Sequence, residues 1–73
     1  MIQFDSPSQK LVLDHLKNFI KVHQYAPTLK ETAKDLGMSI KTVRIQREKL
    51  KEMGLITITP GSQRGVRLGG SSD

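Results

Sequence analysis

The residues best suited to bind a ligand in this 73-residue chain are arginines and lysines, and they concentrate in its second half. Residues 41–54 hold five basic residues against two acidic ones, whereas residues 1–40 hold five lysines against four acids. Arg64 and Arg67 lie in and just after a glycine-containing turn near the C-terminus. Guanidinium and ammonium groups bind anions, so this localised charge, within a net +5, favours a polyanionic partner. A basic face kept for solubility is the alternative that charge alone leaves open.

Catalytic and metal-binding chemistry is not predicted. The chain has no cysteine, which excludes a disulfide framework and a thiolate metal site. His15 and His23 are two turns apart on one predicted helix, about 12 Å along its axis, which is too far to share a metal ion. No glycine-rich phosphate cradle precedes a helix, and no nucleophile has a base within a motif. We therefore predict no enzymatic activity, no cofactor and no metal.

The chain length predicts one small domain with a thin core. We place that domain at residues 1–69, followed at residues 70–73 by a flexible tail or the start of a linker. No apolar run approaches the roughly 20 residues needed to span a bilayer, and the N-terminus does not resemble a signal peptide. We expect a cytoplasmic protein without a membrane partner.

Two helices are predicted in the first half of the chain. Ser6 as N-cap and Pro7 at the first helical position begin an amphipathic helix that extends to Val22. Thr28 and Glu31 have the spacing of a capping box, in which each side chain satisfies a backbone N–H near the helix start. The second helix is therefore expected to begin at Thr28 and to run for about two turns, so that packing must hold it.

The second helix is predicted to end at Gly37, and Ser39 is predicted to cap a third helix that ends at Gly54. The apolar face of this third helix is predicted to consist of Ile40, Val43, Leu50 and Met53. Two helices joined by a tight turn with a glycine make a helix-turn-helix. Two helices packed in an ordinary bundle are the alternative at this point.

The segment "LITITPGSQRGVRLG" predicts a β-hairpin, since two alternating runs flank a turn-rich connection. The residues expected to pack on the helices are Ile56, Ile58, Val66 and Leu68; those expected on the outer face are Leu55, Thr57 and Thr59. The hairpin tip and Arg67 are expected in solvent. The predicted fold class is α+β, mainly helical: a winged helix-turn-helix, with three helices followed by a two-stranded wing.

This architecture predicts binding to double-stranded DNA. The third helix, at residues 39–53, would occupy the major groove, while the wing, at residues 59–67, reaches the backbone or the minor groove. The side chains predicted to point outward from the first half of that helix are Lys41, Thr42, Arg44 and Ile45. Arg44 is the best candidate to bind guanine O6 and N7. Ile45 has two interpretations, a contact with a thymine methyl group or a half-buried position against the second helix.

Phosphate contacts are predicted at helix starts and on the wing. Thr28, Lys30 and Ser39 lie near helix N-termini, where backbone N–H groups and hydroxyls hold phosphates. Arg64 is the predicted wing contact. Arg67 is predicted to contact phosphate, with coverage of the hairpin's outer face as the alternative.

From about Val12 to Leu68 the chain resembles the DNA-binding domain of LexA-type repressors, bacterial regulators of the response to DNA damage. The segment "APTLKETAKDLG" is similar to the family at Pro27, Thr28, Glu31, Ala33, Leu36 and Gly37. The segment "GLITITPGSQRGVRL" is similar to its wing at Gly54, Ile56, Gly61, Arg64, Gly65 and Arg67. The resemblance implies a winged helix-turn-helix that binds an operator. By location only, the family's contact positions fall on Ser39, Lys41, Thr42, Arg44 and Ile45.

The departures from the family concern specificity, the core and a second domain. The third helix, "SIKTVRIQREKLKEMG", does not closely match well-known members, so a different preferred DNA sequence is expected. Arg47 stands where related winged helices place leucine, and we expect its stem over the core and its guanidinium outward. Thr32 replaces a typical isoleucine. The family's self-cleaving Ser-Lys protease domain, with its dimer interface, has no counterpart in these 73 residues, so the chain is interpreted as an excised domain or a free-standing phage or plasmid regulator.

Other functions remain open at this stage. The same fold serves in phage or plasmid replication initiators, and as a protein-interaction module of the antirepressor type that faces an acidic partner. For a DNA-binding protein, we expect a monomer in solution that reads one half-site. Two copies would then pair on DNA or through a second, C-terminal domain.

Overall fold

The computed structural model describes residues 6–62 and 64–69. Three helices, α1 Pro7–His23, α2 Leu29–Leu36 and α3 Ile40–Glu52, precede the strands β1 Ile56–Ile58 and β2 Val66–Leu68. The strands form one antiparallel hairpin, the wing. The predicted fold class, a winged helix-turn-helix, is confirmed. The predicted tail at residues 70–73 lies outside the described residues, and the domain boundary at residue 69 stays a prediction.

All three helices begin with a hydroxyl N-cap at the predicted residue. The side chains of Ser6, Thr28 and Ser39 each accept a hydrogen bond from the backbone N–H three residues further on. At α2 the capping box is complete, because Glu31 Oε1 also accepts from the Thr28 N–H at 2.9 Å. These caps satisfy backbone donors that lack an intrahelical acceptor, so the short sequence signals fix where each helix starts.

The helix ends set the tight turn between α2 and α3. Gly37 has φ 66°, in the left-handed region that glycine adopts without steric cost, and the next residue, Met38, donates its N–H back to the Ala33 carbonyl at 2.9 Å. α1 ends at His23, one residue later than predicted, and Gln24 takes the left-handed conformation there. The turn after Gly37 brings α3 across α1 and α2.

The core lies between α1, α3 and the wing. Its buried apolar cluster consists of Val12, Leu13, Leu16, Ala26, Leu50, Ile56 and Val66. Leu50 of α3 is fully buried beside Ile56 of β1, so one side chain helps to hold both the third helix and the wing against α1. The orientation of the wing relative to α3 therefore depends on shared apolar packing.

The predicted apolar face of α3 is partly wrong. The buried residues of this helix are Val43, Gln46, Arg47 and Leu50. Ile40 and Met53 are exposed because they lie at the two ends of the helix, beyond the elements that cover its middle. The buried face of the helix thus contains two polar side chains that helical periodicity of apolar residues does not detect.

The wing pairs Ile56 with Leu68, Thr57 with Arg67 and Ile58 with Val66. Leu55, predicted on the outer face, instead packs against the core. It lies between α3 and β1, and its N–H donates to the Leu50 carbonyl at 3.0 Å. Leu68, predicted to pack on the helices, is exposed where β2 ends. The other predicted inward residues, Ile56, Ile58 and Val66, do contribute to the core.

The turn of the wing depends on a glycine. A Cβ atom added at Gly65 would lie 2.7 Å from Thr59 Cβ and 2.8 Å from Ser62 Cβ, which is closer than side chains approach. The backbone N–H of Thr59 donates to the Gly65 carbonyl at 2.6 Å and closes the turn.

Within the described residues, no helix is long and apolar enough to span a bilayer.

Candidate functional site

Several side chains on the first two turns of α3 are exposed in the described part of the chain. Lys41, Arg44 and Ile45 are exposed, and Ile45 keeps 44% of its accessible surface, which is compatible with both predicted interpretations of its side chain. Ser39 Oγ donates to Thr42 Oγ1 at 2.9 Å and accepts from the Thr42 N–H. Lys41, Arg44 and Ile45 are thus exposed, whereas Thr42 is partly buried with its hydroxyl bonded to the cap, and their contact with DNA stays a prediction.

A groove of about 470 Å³ lies between the start of α2, α3 and the wing, and we call it the α3–wing groove. Its lining residues are Thr28, Leu29, Lys30, Ile40, Arg44, Arg47, Glu48, Ile58, Ser62 and Val66. The groove brings together three predicted site residues from two helices, namely Thr28, Lys30 and Arg44. The α3 residues Lys41, Thr42 and Ile45 and the N-cap Ser39 do not line the groove.

Arg47 lies inside the protein, contrary to the predicted outward guanidinium. Its side chain is 5% exposed, and Nη2 donates to the Pro27 carbonyl at 2.8 Å and to Thr32 Oγ1 at 3.4 Å. These acceptors point inward from the start of α2, which is why the guanidinium turns away from solvent. Burial lowers the pKa of Arg47. No ion pair among residues 6–62 and 64–69 includes it.

Arg64 anchors the wing to the body of the domain. Its guanidinium donates to both carboxylate oxygens of Glu31 at 2.9 Å, donates to the Ala26 carbonyl at 2.9 Å, and lies 4.6 Å from the centre of the Tyr25 ring. We call these contacts the wing anchor. Bidentate pairing of this kind is geometrically specific. Arg64 is exposed, as expected for the hairpin tip, but the sequence does not predict its pairing with Glu31, and its contact with DNA stays a prediction.

The wing anchor sets the charge state of Glu31. The hydrogen bonds from Arg64, and then that from the Thr28 N–H, lower the pKa of Glu31 from 4.5 to about 2. The same pairing raises the pKa of Arg64. Glu31 therefore stays ionised at any pH near neutrality and holds both the wing and the first turn of α2.

Acid should weaken the wing anchor in a defined window. Because the pKa of Glu31 is lowered on folding, its contribution to stability is complete above about pH 4.5 and is lost as the pH falls towards about 2. We expect the melting temperature of the protein to fall more steeply across this window than that of Glu31→Gln, which keeps a side-chain acceptor for the capping box. Thermal unfolding from pH 2 to pH 6 measures the difference. Parallel curves would show that the anchor adds no stability, as is common for exposed ion pairs.

Arg67 lies apart from the α3–wing groove. It is exposed on β2 and lines a second groove beside the end of α1, together with Tyr25, Arg64 and Leu68. Arg64 and Arg67 therefore line a different groove from Lys30 and Arg44. Both predicted interpretations of Arg67, phosphate contact and coverage of the outer face, are compatible with this exposed position.

The two histidines of α1 both have the ring of Phe19 as a neighbour. His15 Nε2 is 2.9 Å from Asp35 Oδ2 of α2. His23 lies 4.2 Å, ring centre to ring centre, from Phe19. Across residues 6–62 and 64–69 no group of three or more histidine, cysteine or acidic side chains is placed to hold a metal ion.

A model of the family described as the LexA DNA binding domain matches residues 5–65. Those residues include the three helices, β1 and the turn of the wing, and they end just before β2. The match therefore covers the predicted site residues except Arg67.

Relatives with the same family name come from several bacteria. The LexA repressor of Pseudomonas aeruginosa is 35% identical over 68 residues, covering 89% of this chain and 32% of the relative. That of Magnetococcus marinus is 33% identical over 63 residues, covering 86% and 27%. That of Thermosipho melanesiensis is 32% identical over 60 residues, covering 82% and 30%. The chain spans about a third of the length of these relatives.

Proposed function

The chain belongs to the LexA DNA-binding domain family, and we propose that it binds double-stranded DNA as part of a transcriptional repressor. The observation that carries this proposal is the uncovered first half of α3, where Lys41, Arg44 and Ile45 project from the domain beside the α3–wing groove. A helix exposed in this way fits the major groove, which admits an α-helix.

In the proposed complex, the elements divide the contacts. Arg44 bonds a guanine edge with its fork of donors, and Ile45 contacts a thymine methyl group. Lys41 and the caps at Thr28 and Ser39 hold phosphates near the helix starts. The wing lies along the backbone or the minor groove.

Arg64 and Arg67 differ in what they offer a phosphate. Arg67 is exposed and has no ion-pair partner in the described part of the chain. Arg64 is held by Glu31, so a phosphate that contacts it must either share the guanidinium or displace a carboxylate. We therefore expect Arg67 to contact a phosphate at a lower cost in free energy than Arg64 does, because no ion pair has to be shared or broken.

Binding to DNA is expected to depend steeply on salt. Each phosphate neutralised by a basic side chain contributes a slope of about −0.9 in log K against log salt. We expect the protein to shift random duplex at low salt and to lose most of that binding as salt rises. Mobility-shift titrations across a salt series measure the slope. An absence of any shift at low salt would favour the protein-interaction module instead.

The regulated genes are a separate question from DNA binding. Mapping the sites that the protein occupies in cells separates a repressor, which binds at promoters, from a replication initiator, which binds at an origin. Occupied promoters of damage-response genes would assign the protein to the response to DNA damage. Occupied phage or plasmid promoters would instead assign it to the regulation of a phage or plasmid. We further propose that the 73-residue chain is a monomer reading one half-site, with pairing on DNA or through a second domain.

A further inference from the structure

Arg47 is a buried positive charge that has no counter-ion among the described residues. Its side chain is 95% buried, and it has no acidic partner within ion-pair distance in the described part of the chain. Arginine stays protonated at neutral pH even when burial lowers its pKa. Removal of a charge from water is costly, and an anion nearby offsets that cost.

The hydrogen-bonding capacity of this guanidinium is incompletely used. Nη2 is bonded to the Pro27 carbonyl and to Thr32, but the buried Nε has no hydrogen-bond partner among the described residues. Buried polar atoms are normally satisfied, so an unsatisfied donor on a charged group calls for a physical explanation. Arg47 also lines the α3–wing groove, together with the exposed residues Lys30 and Arg44.

The start of α2 contributes to the same groove. Thr28, Leu29 and Lys30 line it, and the N–H groups of Leu29 and Lys30, the first two helical residues, have no intrahelical acceptor. Helix N-termini favour anions through these donors and the helix dipole. Of the charged groups that line the groove, Lys30, Arg44 and Arg47 are positive and Glu48 alone is negative, so the groove carries an excess of positive charge.

We propose that the α3–wing groove binds one phosphate group, with Lys30 and the first turn of α2 as direct ligands and the buried charge of Arg47 behind them. The phosphate acts as the missing counter-ion of Arg47. This assignment deepens the proposed function, and its DNA arm rests on that function: the phosphate is one of the duplex backbone.

The first arm of the test uses inorganic phosphate alone. At constant ionic strength, phosphate should raise the melting temperature of the protein, with a rise that grows as the logarithm of its concentration above the dissociation constant. Arg47→Met keeps the stem and removes the charge, and it should lose this response. Lys51→Met removes a charge from the last turn of the same helix, outside the groove, and should keep it. Equal responses in the protein and in Arg47→Met would overturn the proposal, as would no response in the protein.

The second arm uses random duplex across a salt series. Arg47→Met should lower the salt slope by about 0.9, the value for one phosphate contact, whereas Lys51→Met should leave the slope unchanged. A phosphate response with an unchanged duplex slope would assign the site to a free phosphate-bearing ligand. If the protein binds no duplex, the proposed function is wrong. The melting temperatures with inorganic phosphate still show whether the groove binds phosphate. Should Arg47→Met not fold, Lys30→Met on the exposed rim takes its place, and a full phosphate response in that variant would count against the site.

Discussion

Leu50→Ala is expected to lower the free energy of unfolding by about 2–5 kcal/mol, the cost of removing a buried leucine and leaving a cavity. Leu50 is 0% exposed and lies in the cluster that joins α3 and β1 to α1. Stability of roughly 0.05–0.15 kcal/mol per residue gives a domain of this size only about 4–11 kcal/mol in total. A large part of the population should therefore unfold at moderate temperature. Chemical denaturation followed by circular dichroism measures the change.

Leu11→Ala is the matched control for this prediction. It makes the same change in a helix, but Leu11 is 49% exposed and lies outside the core cluster. Its effect should be a small fraction of that at Leu50, because less apolar surface is returned to water and alanine favours the helix. Similar losses at both positions would mean that packing around Leu50 does not hold α3 and the wing together.

Arg44→Ala is expected to weaken binding to the preferred duplex by about 1–3 kcal/mol while changing binding to random duplex little. Arg44 is exposed on α3 and has no ion-pair partner within the described residues, so its fork of donors is available to a base. The preferred duplex is obtained by selection from a random pool with the unaltered protein. Competition titrations of both duplexes then measure discrimination directly.

Two variants separate charge from base reading at this position. Lys51→Ala removes an equal charge from the far end of α3 and should leave discrimination intact. Arg44→Lys keeps the charge but lacks the planar fork, and it should behave more like Arg44→Ala. Full discrimination in Arg44→Ala would show that the first half of α3 does not read bases through this arginine.

Local signals predicted most of the fold. The hydroxyl caps, the proline of α1 and the glycine after α2 affect only backbone groups within about four residues of themselves. Both partners of each interaction therefore lie in one short segment of the sequence. These signals accordingly predict the helix starts at Ser6, Thr28 and Ser39 correctly. Exposure at the ends of α3 and β2 depends on where neighbouring elements stop, and for that reason Ile40 and Leu68 were placed wrongly.

The candidate site was predictable in its residue types but not in its partners. Arg64 and Glu31 are 33 positions apart, and nothing in either segment indicates their pairing. The burial of Arg47 did have a signal, since it lies four residues after the buried Val43 on the same helix face. The inward direction of its guanidinium had none, because it depends on the carbonyl of Pro27 in a different segment.

Glu31 joins two parts of the molecule through one carboxylate: it caps the first turn of α2 through the Thr28 N–H and holds the wing through Arg64. A ligand that draws Arg64 away leaves the carboxylate to the helix alone, and by thermodynamic linkage a tighter wing anchor weakens that ligand by the same free energy. The measured affinity of a phosphate for Arg64 is thus the difference between two free energies: that of the new contact and that of the Glu31 contacts that it replaces. Substitutions at residue 31 that keep the cap should therefore change how the wing responds to a ligand while the helix start stays in place.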